Sequence, residues 1–301
     1  MFETARRSHT WAIATALLVT VLWSSSWVLI RVGLDDEALE PVTFAGLRYS
    51  LAAAALLAWV LPRHKSRAEL LTLRASTWRY LLVLGVVFYA ITQGAQFVAI
   101  DAQPAATTSL MLAPTPLLVA VLSQRSIGER VDARQVAGAL LIVIGATVFF
   151  AGDLGATVVG IVASTIGLAA NVASALLGRS INRQRDLNPA TVTVVSMTVG
   201  AVLLLGTGLV VEGMPTLSGT AIAVVVWLAV VNTALAFTLW NASLRRLAAV
   251  ESAAINNTML IQIAALAWIF LGEPPGIVGG LGIVVVSIGA LLAQRPRAAR
   301  R

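Results

Sequence analysis

The sequence predicts an all-α membrane protein of ten transmembrane helices, arranged as two inverted five-helix repeats. Three observations predict it. The chain is 58% hydrophobic and only 12% charged, against roughly a quarter charged in a soluble protein of this size. Ten segments are apolar over about 20 residues, the length that crosses the hydrocarbon core. The chain also repeats itself: Gly128-Glu129, Gly138 and Ile144-Gly145-Ala146 recur as Gly272-Glu273, Gly282 and Ile288-Gly289-Ala290, every pair offset by 144 positions. An odd number of spans separates the copies, which sets the two halves into the bilayer in opposite orientations. Glycine is frequent in membrane helices and can match by coincidence. A shared register over three landmarks, one carrying a glutamate, favours a true repeat.

The spans are expected at 11–31, 41–61, 79–100, 104–123, 134–151, 154–178, 189–211, 218–242, 250–271 and 275–293. The first, Trp11 to Ile30, is longer than the apolar core of a cleavable signal and is read as a retained span. The second carries Arg48 and the small run Ala52 to Ala55, and the fourth is interrupted by Pro114 and Pro116. The fifth and tenth are glycine-containing spans that follow the Gly-Glu turns. Pro41 and Thr43 match Pro189 and Thr191 at an offset of 148, as Arg31 matches Arg179. The repeats are therefore 1–151 and 152–301, one integrated membrane domain. The change of offset falls in the loops after spans two and seven, where added length costs little.

Loop charges set the expected orientation. Nineteen of the 21 basic residues fall in the tails and loops of one side, and the exceptions are Arg31 and Arg48. The positive-inside rule makes that side, with both termini, cytoplasmic. The opposite loops carry Asp35, Asp36, Glu37, Glu40, Asp101, Asp153, Glu212 and Glu273. The net charge of +7 then reports topology and contact with anionic lipids, not a nucleic-acid partner.

This pattern resembles the EamA-type transporters of the drug/metabolite superfamily. The resemblance rests on Leu22-Trp23-Ser24, on Pro41 through Arg48, on Thr233-Ala234-Leu235-Ala236-Phe237 with Leu239-Trp240-Asn241, and on the two Gly-Glu turns. It covers the whole chain as two EamA repeats. It implies a carrier that exports small metabolites across the bacterial inner membrane, without a cofactor. Among the branches, the chain is most similar to exporters of amino acids, including aromatic ones and threonine or methionine. Other cargo remains an alternative: a nucleoside, a sugar derivative or a cationic drug.

Arg48 is the sharpest single feature. A charge near mid-membrane costs about 2.5–3.5 kcal/mol on insertion scales, and no carboxylate is expected deep in any span. Glu251 comes nearest, at the cytoplasmic start of span nine. Arg48 is read as a contact for a substrate carboxylate. The competing reading has it snorkelling or bound to carbonyls of a broken helix. The second half offers Ser196 at the equivalent position. Further cavity candidates are Trp23 and Ser24 in span one, Tyr89, Gln93 and Gln96 on one α-helical face of span three, and Asn232, Trp240 and Asn241 in span eight. Asn256, Asn257, Thr258 and Gln262 in span nine complete the set. Amides in lipid need partners or water, so these faces either converge on a wet cavity or join helices to one another. Pro114 and Pro116 are candidate bends for a gate. Ala52 to Ala55, Gly276, Gly279, Gly280 and Gly282 are candidates for close helix approach. Trp11, Trp78 and Trp227 are read as interfacial.

Rival classes find less support. The chain has no cysteine, which removes thiolate nucleophiles and thiolate metal sites. His9 and His64 fall in or beside cytoplasmic segments, so neither hydrolytic nor metal chemistry at depth is indicated. No phosphate-binding loop of an ATP-driven pump is present. A channel commonly shows charged rings or carbonyl filters in an oligomer; a single arginine and inverted halves favour a monomeric carrier. With no buried acid or histidine for a proton relay, export down the cytoplasmic gradient is expected.

Overall fold

A computed structural model describes residues 2–115, 118–119, 121–122, 133–150, 155–184, 187–244, 247 and 249–294. Gly128-Glu129 and Pro116 lie outside these. Every regular element among the described residues is helical. Helix α1 spans Phe2–Asp35, α2 Pro41–Val60 and α3 His64–Leu71. Helix α4 (Ala75–Leu84) runs through a π-helical segment, Gly85–Gln93, into α5 (Gly94–Ala102). Next come α6 (Ala105–Leu112), α7 (Ala133–Phe150), α8 (Val158–Gln184) and α9 (Pro189–Val211). Helix α10 (Gly219–Ala229) runs through a second π-helical segment, Val230–Leu235, into α11 (Ala236–Leu244). The last are α12 (Ala249–Leu271) and α13 (Gly276–Gln294).

Among the described residues, six helices are long and apolar enough to cross a membrane: His9–Asp35, Pro41–Val60, Ala75–Ala102, Val158–Gly178, Ala190–Val211 and Gly219–Trp240. Shorter apolar stretches are Val136–Phe149, Thr258–Leu271 and Gly276–Leu292. Their outward residues are hydrophobic, with Val210 86% and Ile277 87% exposed. Water would penalise such a surface, whereas lipid tails do not. Two features were not expected. Helix α3 forms in a connection read as a loop, and both π-helical segments interrupt spans read as plain α-helices.

The helices gather into two compact units, each drawing on both halves of the sequence. One comprises Leu29–Ala102 and Val158–Ala234; the other comprises Met1–Val28, Gln103–Thr157 and Leu235–Arg301. One passage between the units, at Thr157–Val158, falls close to the expected repeat boundary, and the others fall within the repeats, after Val28, Ala102 and Ala234.

In the first of these units α9 lies along α2. A Cβ on Gly46 would stand 2.5 Å from the Leu205 backbone, and one on Gly208 would stand 2.6 Å from that of Thr43. The residue order is reversed between the helices, so they run antiparallel. Glycine is needed because the backbones touch, and close backbone approach is what gives membrane helices their packing energy. Each helix is capped by a carboxylate that follows its neighbour. The Glu212 carboxylate, just past α9, accepts from the Val42 and Thr43 amides at 3.0 and 2.7 Å. The Glu69 carboxylate, in α3 just past α2, accepts from the Asn188 amide at 2.8 Å and the Thr191 hydroxyl at 2.6 Å. These anions meet unpaired N–H groups and the positive ends of two helix dipoles. Gly213, at φ +90°, takes the left-handed conformation that ends α9 directly after Glu212. Arg31, the basic exception in the acidic loops, pairs with Asp35 at 2.6 Å and donates to the Ile100 and Asp101 carbonyls at the end of α5.

In the other unit α7 and α13 form an equivalent antiparallel pair. A Cβ on Gly282 would lie 2.7 Å from the Gly145 carbonyl, and one on Gly289 would lie 2.7 Å from that of Gly138. Adding 144 to Gly138 and Gly145 gives Gly282 and Gly289, so the two contacts exchange under the repeat. That reciprocity is the mark of a two-fold relation. Ile142, Phe149, Ile283 and Val286 fill the pair's core together with Leu110 of α6 and Ala264 of α12. Helix α6 stops at Leu112 because Pro114 has no amide to continue the ladder. The Leu110 carbonyl is taken instead by Ala113, at 3.1 Å in a tighter turn. Not every glycine named for close approach serves it: Gly280 has nothing within 4 Å, and Gly276, at φ +60°, leads into α13 from the loop.

Gly282→Ala should therefore lower the melting temperature in detergent by several degrees, since overpacking costs about 1–3 kcal/mol. Gly280→Ala should leave it unchanged. Equal melting curves for the two variants would contradict the packing of α7 on α13.

Candidate functional site

The sequence candidates fall into two polar clusters, one in each unit. The first surrounds Arg48, which is 5% exposed on α2. Its Nε donates to the Thr233 hydroxyl at 3.1 Å. Its guanidinium carbon lies 5.3 Å from the centre of the Tyr49 ring and 6.0 Å from that of Phe97. Both distances are within reach of a cation–π attraction. Among the described residues no carboxylate pairs with Arg48, and its η nitrogens make no hydrogen bond. The snorkelling reading fails, because the head is buried, and so does the reading in which it binds backbone carbonyls.

Tyr49 joins this cluster through its hydroxyl, which donates to Gln93 Oε1 at 2.6 Å. Its ring packs edge-on against Tyr89 at 5.7 Å. Tyr89 and Gln93 lie within the first π-helical segment, and both meet Tyr49, so they share a face there. Gln96, beyond that segment, makes no hydrogen bond among the described residues. Asn232, in the second π-helical segment, is completely buried. Ser196, the repeat equivalent of Arg48, turns its hydroxyl back to its own helix and donates to the Val192 carbonyl at 2.6 Å.

The second cluster is built on Gln262 of α12. Its amide nitrogen donates to the Thr20 and Thr258 hydroxyls at 3.2 and 3.0 Å, and its carbonyl accepts from the Ser24 hydroxyl at 3.0 Å. Three of the four bonds an amide can make are thus used. The group ties α12 to α1 as a polar joint. Beside it, Trp23 packs against Phe237 and Trp240, each at 5.2 Å between ring centres. Asn232 and Trp240, read as one face of span eight, belong to different units. Asn256 is exposed on α12. Of Asn241 and Asn257 only the helical backbone is described. Pro114 marks the break after α6.

Thr233, Tyr49, Thr20 and Phe97 were not singled out from the sequence as site residues. Threonine is common in apolar spans and an aromatic beside a charge is unremarkable, so only the pairing across helices reveals their roles.

A set of apolar helices long enough to span a membrane, with a buried cation that no carboxylate pairs among the described residues, defines a multi-pass membrane protein. The chain belongs to the EamA-like transporter family, whose model matches residues 10–151 and 156–294. It is a membrane transporter of small metabolites. It is 30% identical over 310 residues to the Probable terminal-alkyne amino-acid exporter of Streptantibioticus cattleyicolor, an alignment covering 96% of this chain and 95% of that protein. It is 28% identical over 229 residues, 72% of each chain, to the Probable amino-acid metabolite efflux pump of Escherichia coli. A solved crystal structure superimposes with a TM-score of 0.67 at 20% identity, covering 95% of this chain and 96% of that one, which is a likeness of fold.

Because the Gln262 amide is spent on α1 and its own helix, Gln262→Leu should act mainly on stability. Interhelical hydrogen bonds in membranes average roughly 0.6 kcal/mol, so losing three should lower the melting temperature by a few degrees. A variant that melts like the parent but changes substrate affinity would assign Gln262 to the cargo instead.

Proposed function

We propose that this protein is a secondary carrier that exports amino acids across the bacterial inner membrane by alternating access. Ten spans, in the repeats 1–151 and 152–301, cross the membrane in opposite senses with both termini in the cytoplasm. The exchange of glycine contacts between α7 and α13 and the one-sided placement of basic residues support that arrangement. The observation that carries the function is Arg48: a buried guanidinium that, among the described residues, has no counter-charge and no hydrogen bond from its η nitrogens.

Such a group is stabilised when an anion arrives. A carboxylate accepts two parallel N–H bonds from the η edge and neutralises the charge in a medium where the attraction is strong. Tyr49, Tyr89 and Phe97 line the same region and suit an apolar or aromatic side chain on the cargo. The site takes residues from both repeats, Arg48 from one and Thr233 from the other, so movement of one repeat against the other exposes the same cargo to either side. A cationic drug is disfavoured by the charge of Arg48. The names of the relatives point to amino-acid cargo. The family assignment and the lack of a nucleophile–base pair around Arg48 argue for transport without catalysis. Export is uncoupled and runs down the cytoplasmic gradient.

Purified protein in liposomes tests this. Labelled L-phenylalanine uptake should saturate and be accelerated by unlabelled L-phenylalanine inside, which a pore cannot do. Sugars and nucleosides should not compete. An imposed pH gradient should give no uphill accumulation. Arg48→Ala should lower uptake roughly tenfold or more, in keeping with loss of a charged hydrogen-bonded pair, while expression falls far less. Full activity in Arg48→Ala would remove the carboxylate site.

A further inference from the structure

The two π-helical segments occupy equivalent positions of the repeat. Shifting Gly85–Gln93 by the 144-residue offset gives 229–237, and the second segment is Val230–Leu235. Such turns are rare overall but frequent at functional sites. Their local sequences, GVVFYAITQ and VVNTAL, have little in common, so the shared position is a property of the architecture. Each segment holds one of two adjacent side chains on α2. From the second, Thr233 accepts from Arg48 Nε at 3.1 Å. From the first, Gln93 accepts from the Tyr49 hydroxyl at 2.6 Å.

The wider turn changes where a threonine hydroxyl points. On the ordinary helices of this chain, Thr15, Thr147, Thr165 and Thr198 donate to the carbonyl four residues back. Thr92 and Thr233 donate instead to carbonyls five residues back, those of Val87 and Leu228, both at 2.8 Å. The proton of Thr233 is therefore directed along its own helix, and a lone pair is left facing Nε. A hydroxyl committed in this way can only accept from Arg48. The Nε bond fixes the plane of the guanidinium, because Nε and both η nitrogens are coplanar.

We infer that Thr233 is a positioning residue for the substrate carboxylate: the second π-helical segment aims its hydroxyl at Arg48 Nε, so that the η edge of the guanidinium is presented to the cargo. The first segment steadies the same stretch of α2 through Gln93 and Tyr49. Thr233 touches no cargo itself and acts through Arg48. This inference rests on reading Arg48 as the carboxylate contact, and the experiment separates the two.

Counterflow of labelled L-phenylalanine into liposomes is measured for the parent, Thr233→Val, Thr233→Ser and Arg48→Ala, with phenethylamine as a competitor that lacks the carboxylate. Thr233→Val should raise KM roughly tenfold, the effect of leaving a buried charged donor without its partner, with Vmax changed less than about twofold. It should also weaken the preference for L-phenylalanine over phenethylamine. Thr233→Ser should restore both. In the Arg48→Ala background Thr233→Val should add nothing, since residues acting through one another are not additive. If Thr233→Val is not recovered folded, Thr233→Ala carries the same comparison. An unchanged KM in a folded Thr233 variant, with Arg48→Ala impaired, overturns the inference and leaves the carboxylate site standing. A fall in Vmax that Thr233→Ser does not rescue also overturns it, because that is the mark of a structural role. Transport indifferent to Arg48→Ala, or no carriage of L-phenylalanine, L-threonine or L-methionine by the parent, brings down both.

Discussion

A guanidinium buried among apolar helices costs several kcal/mol unless its donors are used, and the arrangement around Arg48 is governed by that cost. One N–H is answered by Thr233 and the ring of Tyr49 lies beside the cation; no acid among the described residues neutralises it. A protein built only for stability would have an aliphatic residue here, since burying a charge costs far more than burying an apolar group of similar size. The residue is therefore kept at some expense to the fold, and the helices around it carry the irregularities that hold it: two π-helical segments and a tyrosine tethered to a glutamine. The distortion and the charge occur together, as expected of π-helical turns, which are frequent at functional sites.

The frame that carries this site follows a different logic. Lipid offers helices no hydrophobic reason to associate, so the pairs α2 with α9 and α7 with α13 depend on backbone contact at glycine. Both pairs are antiparallel and both join a helix to its own repeat equivalent. The compact units are consequently not the sequence halves. Each unit is founded on one such pair, and the shorter or broken helices are arranged around it.

Much of this was legible in the sequence. Hydropathy and length alone give helix bounds such as Pro189–Val211 and Gly276–Gln294 to within a residue or two of expectation, because crossing hydrocarbon leaves the backbone no other means of satisfying its polar groups. The glycine landmarks mark α7 and α13 as repeat equivalents, and their packing on one another is seen only in the structure. The remainder was hidden for identifiable reasons. A π-helical turn has no composition of its own, so the segments holding Tyr89, Gln93 and Thr233 read as plain α-helix. Gln262 reads alike as a cavity amide or as a joint, and only its bonds to Thr20, Thr258 and Ser24 decide between them. Gly280 and Gly282 are indistinguishable by type, and which of them faces a neighbour depends on helix rotation.

The carboxylates of Glu212 and Glu69 have a further consequence. Each is rooted beyond one helix of a pair and grips the start of the other, at opposite ends of the same rod-like couple. Sliding α2 along α9 by a single turn, about 5.4 Å, would strip both grips at once and leave two carboxylates facing bare hydrocarbon-edge backbone. The couple consequently has one permitted alignment, enforced from its two extremities, which also fixes where along α9 the α2 turn bearing the guanidinium lies.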